Sequence, residues 1–127
     1  MIASFQHKGL RLFFEKDDSS KLQPHHVEKI RRILYRLDES VIIDDMNQIG
    51  WGLHQLTGRL KGFWSIKVDK NFRIIFKFED GQALDIDYDN ESATEILDKI
   101  MHAIEQTPEH NLLHDYDAKL KESKPQT

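Results

Sequence analysis

Between Phe63 and Tyr88 the chain alternates apolar and polar residues in three short runs, and this alternation restricts the fold more than any other feature. The runs are Phe63–Val68, Phe72–Phe78 and Ala83–Tyr88. Successive side chains of a strand point to opposite faces, so each run reads as a strand with one buried face. Trp64, Ile66 and Val68 share a face of the first run. Phe72, Ile74, Phe76 and Phe78 do so in the second, and Leu84, Ile86 and Tyr88 in the third. Asp69-Lys70-Asn71 and Glu79-Asp80-Gly81 have the composition of tight turns. The expectation is an antiparallel meander with one apolar face. The mixed face carries Ser65, Lys67, Arg73, Ile75, Lys77, Asp85 and Asp87. Arg73 stands beside Lys67 on the neighbouring strand, an arrangement suited to gripping a phosphate. A solvated face with strand-edge charges is the plainer reading, and the pattern favours neither.

Upstream of the meander the periodicity changes to that of helices. Ile2–Phe5 reads as a short strand and Gly9–Lys16 as a short helix with Leu10, Phe13 and Phe14 on one side. A stronger helix is expected from Pro24, a residue suited to a first helical position, to Leu37. Val27, Ile30, Ile33, Leu34 and Leu37 form its apolar stripe. Its polar side carries Lys29, Arg31, Arg32 and Arg36, which fit a solvated surface or a polyanion-binding one. Ser40 caps a brief turn through Ile43, Met46 and Ile49 in this reading. Gly50-Trp51-Gly52 then breaks the pattern and leads into Leu53-His54-Gln55-Leu56, which sets His54 just before the sheet. A histidine between two anchoring leucines is more often structural than catalytic. The following loop adds Arg59 and Lys61. After the sheet, Asn90 or Ser92 is expected to cap an amphipathic helix to about Gln106, and Thr107-Pro108 to start a weaker one.

Length and composition exclude several classes. A chain of 127 residues has room for one modest core. No run approaches the roughly 20 apolar residues of a membrane helix. The first residues lack the apolar core of a signal peptide. There is no cysteine, which removes disulfides and thiolate metal sites and fits a cytoplasmic protein. Residues 1–88 hold 14 Lys/Arg against 13 Asp/Glu, a balance of +1, and residues 89–127 hold 4 against 9, a balance of −5. Only the local distribution of charge therefore speaks for a polyanionic partner. Neither a glycine-rich phosphate loop nor a Cys/His metal spacing is present. His25 and His26 are adjacent, about 100° apart on a helix, and do not make a ready ligand pair. His110 and His114, four apart in a polar tail, are weak evidence for a metal.

The order of short strand, helix, basic helix, LHQL at 53–56, and a meander containing SIKV at 65–68 and FRIIF at 72–76 resembles the HigB toxins of the RelE/ParE toxin–antitoxin superfamily. Gly58 and the Gly62-Phe63 step add to the match. The resemblance covers residues 1–89 and implies an α+β fold, with N-terminal helices packed on a small antiparallel sheet. Residues 90–127 are expected to form a helical, acidic extension of that domain. The resemblance implies a ribosome-dependent endoribonuclease that cuts messenger RNA without a metal or other cofactor. It also implies a HigA-like helix-turn-helix antitoxin as partner. In this family's chemistry the 2′-hydroxyl attacks the adjacent phosphate, which needs a base, a cation for the phosphorane charge and an acid.

By position, the resemblance makes His54 the base or RNA-orienting group and Arg73 the transition-state cation. Lys67 stands where many relatives carry arginine, and Tyr88 matches a closing tyrosine that stacks on or orients a nucleotide. Lys29, Arg31, Arg32, Arg36, Arg59 and Lys61 become candidates for ribosomal RNA contacts. Relatives commonly have histidine after that tyrosine, whereas this chain has Asp89, ionised at neutral pH and repulsive to phosphate. The alternative is a RelE-fold module that binds antitoxin or ribosome with weak or no catalysis, its site masked by the extension.

Overall fold

The computed structural model describes residues 1–91 and, beyond them, Ile100 alone. All but Ile100 lie in the first of two units into which the chain divides, Met1–Ser92. The helices expected after the sheet, with His110 and His114, lie outside the described residues.

Two helices form the first layer. Helix α1 spans Lys8–Lys16, and His7 caps it by accepting the Leu10 N–H on Nδ1 at 3.1 Å. Helix α2 spans Val27–Glu39 and follows a single 3₁₀ turn at Pro24–His26, so the expected helix starts tighter than an α-helix. The α2 stripe buries Ile30, Ile33, Leu34 and Leu37, and α1 adds Leu10 and Phe13. Ser40 does not cap the next turn as expected. It ends α2, its Oγ donating to the Arg36 carbonyl at 2.7 Å, while Asp45 accepts the Val41 and Ile42 N–H groups. The turn at Ile43–Met46 buries Met46 but leaves Ile49 fully exposed.

The second layer is a four-stranded antiparallel sheet in sequence order: β1 (His54–Gln55), β2 (Trp64–Lys67), β3 (Phe72–Glu79) and β4 (Gln82–Asn90). His54 thus lies within the sheet, not before it, because it pairs with Ser65. The β3–β4 hairpin closes with Asp80 and Gly81 at φ 50° and 76°, the pair of positive angles a type I′ turn requires. Ile2 and Phe5 bridge in parallel to Ala83 and Ile86, which adds the N-terminal segment to the outer edge of β4. Trp64, Ile66, Ile74, Phe76, Ala83 and Ile86 close the core against the helices.

Strand β4 departs from simple alternation. From the turn outward, Glu79 opposes Gln82, Phe78 opposes Ala83 and Lys77 opposes Leu84, but Ile75 opposes Asp87. One extra residue in β4 forms a bulge at Asp85, whose φ is 51°. Ala83 therefore takes the fully buried position, and Leu84, expected on the apolar face, points the other way.

Candidate active site

Residues directly opposite one another in a sheet share a face, so the register shows which candidates meet. His54 opposes Ser65, Ser65 opposes Ile75, and Ile75 opposes Asp87. In the next row Lys67 opposes Arg73, and Arg73 opposes Asp89. The structure therefore brings His54, Lys67 and Arg73 to the face turned away from the helices. Ile75 is 3 % exposed yet stands outside the helix-backed core, as expected for this face.

His54 is exposed, and its Nδ1 lies 2.8 Å from the Gly52 carbonyl. A carbonyl only accepts, so Nδ1 carries the hydrogen, and in the neutral ring Nε2 keeps its lone pair. That tautomer suits a general base. Gly52 offers the carbonyl from a φ of 58°, a left-handed conformation that favours glycine.

Arg73 is buried, with 7 % exposure, and its Nε donates to Asp89 Oδ2 at 2.8 Å. Asp89 therefore does not stand as a bare anion repelling phosphate: its charge is set against Arg73. The bulge hides this partnership from the sequence. Counting residues back from the turn without an extra one sets Tyr88 opposite Arg73; the bulge puts Asp89 there instead. Asp87, on the same face, has its carboxyl raised above the usual range by burial, with the Tyr88 N–H bond opposing the shift.

The basic residues of α2 separate into two groups. Burial, with the charges of Arg32 and Lys67, pushes the Lys29 ammonium below its ordinary value, so Lys29 and Arg32 share a positive field with Lys67. Arg31 turns elsewhere. It pairs with Asp17 at 3.0 Å and Glu28 at 3.5 Å, and its guanidinium lies 4.8 Å above the Phe13 ring. Arg36 is spent on the Asp45 carbonyl at 2.8 Å. Arg59 and Lys61 are exposed at the 3₁₀ turn Gly58–Leu60 and the residue that closes it.

Tyr88 is the candidate that does not join the others. It opposes Ile74 on the helix-backed face and its ring lies 5.1 Å from that of Phe72. Its hydroxyl meets His26 Nδ1 at 2.5 Å, and His26 Nε2 meets Asp69 Oδ2 at 2.6 Å. Burial raises the Tyr88 phenol. The bond from His26 leads the effects that lower the Asp69 carboxyl to about 2, followed by the Asn71 and Phe72 N–H groups. His25 and His26, expected to point apart, both approach Asp69 from the 3₁₀ turn before the helix proper, His26 Nε2 at 2.6 Å and His25 Nε2 at 3.9 Å from Oδ2.

A helix-backed antiparallel sheet whose other face carries a histidine and two cations defines a small α+β protein suited to an anionic ligand. Residues 3–90 match the family described as the RelE-like toxin of type II toxin–antitoxin system HigB, and the chain belongs to that family. It is 40% identical over 90 residues to the endoribonuclease HigB of Proteus vulgaris, covering 71% of this chain and 98% of that one. It is 37% identical over 86 residues to toxin HigB-1 of Vibrio cholerae serotype O1, covering 66% and 90%. Among solved structures, YafQ from E. coli strain BL21(DE3) is similar at a TM-score of 0.46 and 14% identity, over 74% of this chain and 96% of that one. As a type II toxin, the protein has an antitoxin for its partner. No helix among the described residues is long and apolar enough to cross a membrane.

Proposed function

We propose that this toxin is an endoribonuclease that cuts messenger RNA on the ribosome, using the sheet face that carries His54, Lys67 and Arg73. The observation that carries this reading is the register, which sets a base-competent imidazole one row from a pair of cations. The activity named for the Proteus vulgaris relative supports it. His54 Nε2 takes the proton of the RNA 2′-hydroxyl, O2′ bonds to phosphorus and the bond to the 5′ oxygen breaks. Arg73 and Lys67 stabilise the charge that develops on the phosphorane. Arginine does not release a proton in proteins, so Lys67 is the cation that can also protonate the leaving oxygen. The products are a 2′,3′-cyclic phosphate and a 5′-hydroxyl.

Lys29 and Arg32, with Arg59 and Lys61, bind phosphates of ribosomal RNA in this proposal. Arg31 and Arg36 are assigned to the fold, Arg31 through Asp17 and Arg36 through the Asp45 carbonyl. Tyr88 acts through structure, not by stacking on a base. The antitoxin is proposed to be a HigA-like helix-turn-helix protein, and the setting cytoplasmic.

A second reading draws on one observation. Asp89 takes up the Nε edge of Arg73 and offsets its charge, which favours a module that binds with weak catalysis. Primer extension on cellular messages after brief expression, with and without a block on translation, separates the two. Discrete cuts inside translated regions, lost when translation is blocked, are expected. Intact messages at verified expression, with antitoxin binding preserved, would overturn the nuclease reading in favour of the second.

A further inference from the structure

His25, His26 and Asp69 each offer one ligand atom, and these atoms all lie within 4.8 Å of one another. They come from two places far apart in the sequence, the 3₁₀ turn before α2 and the β2–β3 turn. Their orientation is fixed from behind. His26 is 2 % exposed, and the Tyr88 hydroxyl at Nδ1 directs its Nε2 toward Asp69 Oδ2. Asp69 is held by its other oxygen, since Oδ1 accepts the Asn71 and Phe72 N–H groups at 2.8 Å each. Oδ2 is thereby aimed at both histidines, with His25 Nε2 3.9 Å away.

We propose that His25, His26 and Asp69 form a binding site for a divalent transition metal of the zinc class. Two imidazoles and one carboxylate are a donor set that zinc accepts at about 2.0–2.2 Å. Magnesium and calcium prefer oxygen donors throughout. The ion takes the place of the proton between His26 Nε2 and Asp69 Oδ2. That pair opens from 2.6 Å to the roughly 3.3 Å that tetrahedral ligands at such bond lengths require. His25, exposed and with its ring 4.2 Å from that of His26, closes from the solvent side. His26 Nδ1–H then donates to the Tyr88 hydroxyl, the outer hydrogen bond that metal-bound histidines characteristically make. Three protein ligands leave a fourth position for water. The ion ties the start of α2 to the β2–β3 turn and involves none of the residues assigned to cleavage.

Isothermal titration of the metal-free full chain with Zn²⁺, and with Mg²⁺ as control, tests the site. One zinc per chain is expected, with little response to magnesium and a Tm that rises with zinc concentration. His25→Ala should weaken zinc binding by at least about tenfold and leave the metal-free Tm unchanged, because His25 is exposed. Tyr88→Phe should weaken it by about 10–100-fold, as loss of an outer hydrogen bond does. A double His110→Ala, His114→Ala variant should bind as the parent does. No zinc uptake, or equal affinity in His25→Ala, would overturn the site and leave a hydrogen-bonded structural cluster. Binding lost in the double variant would overturn it by moving the metal to the tail.

Discussion

His54 and His26 occupy opposite faces of one small sheet and are held in opposite ways. His54 is exposed, fixed at one nitrogen by a carbonyl two residues away, and presents the other nitrogen outward. His26 is buried, and both its nitrogens meet side chains from elements 43 and 62 residues distant. The first arrangement leaves a reactive atom unspent. The second commits every polar atom of the ring to holding α2, the β2–β3 turn and β4 together. The difference teaches that these two histidines of the toxin fold divide by what each has left unspent, not by where they stand in a motif.

Substitutions can break this contrast. The largest effect is expected at Arg73, which belongs partly to both categories. Arg73→Ala should lower message cleavage by about 10²–10³-fold. It should also cost about 3–5 kcal/mol in stability, since the part-buried Asp89 carboxylate loses the guanidinium it faces across the strands. Adding Asp89→Ala should restore part of the stability, read by urea unfolding, and none of the cleavage. His54→Ala should reduce cleavage by at least about 10²-fold, with a Tm shift equivalent to no more than about 0.5 kcal/mol. His26→Ala should reverse that pattern. Loss of the ring leaves a cavity between Phe72 and Tyr88 and removes one partner each from the Tyr88 hydroxyl and the Asp69 carboxylate, and about 2–4 kcal/mol of stability should go. Cleavage per folded molecule should be unchanged.

Smaller effects sharpen the same division among the cations. The pair Lys29→Ala, Arg32→Ala should weaken ribosome binding and reduce its salt slope by about 1 for each phosphate no longer neutralised. Arg31→Ala should leave that slope alone, since its guanidinium is bound to Asp17, Glu28 and the Phe13 ring. The smallest effect concerns Asp87. Its carboxyl is raised in the folded state by burial, so the folded protein favours the protonated form. The stability this provides is present at low pH and lost as pH rises through the folded value. Asp87→Asn should therefore melt slightly higher than the parent at neutral pH, and the gap should close on acidification.

Much of the candidate face is legible in the amino-acid sequence. Strand alternation and two short turns are local signals, and they suffice to set Lys67 beside Arg73. The stripes of α1 and α2 follow equally from local periodicity. His54 stands out as a candidate, although its place in the sheet depends on pairing with Ser65. Other features depend on information that no short window holds. The bulge at Asp85 displaces Leu84 from the core and exchanges Asp89 for Tyr88 behind Arg73. The His26 cluster needs Asp69 and Tyr88 to come from distant strands. Arg31 and Arg36 look like their neighbours on α2 until their partners are seen.

The bulge also carries a consequence for how this chain tolerates change. Upstream of Asp85 the strand keeps one phase, and downstream it keeps the opposite one. The bond between Tyr88 and His26 and the pair between Arg73 and Asp89 both depend on that inversion. Were the extra residue drawn into regular pairing, every residue beyond it would slip by one and change face, turning a phenol toward Arg73 and a carboxylate toward the helices, whereas removal of residue 85 would leave a regular ladder with the same downstream pairs. The N-terminal segment guards the phase, for Ser4 accepts the Asp85 N–H at 2.8 Å on its hydroxyl and the Ile86 N–H at 3.2 Å on its carbonyl. The opening residues thus act as a reading-frame clamp for the far end of the toxin fold.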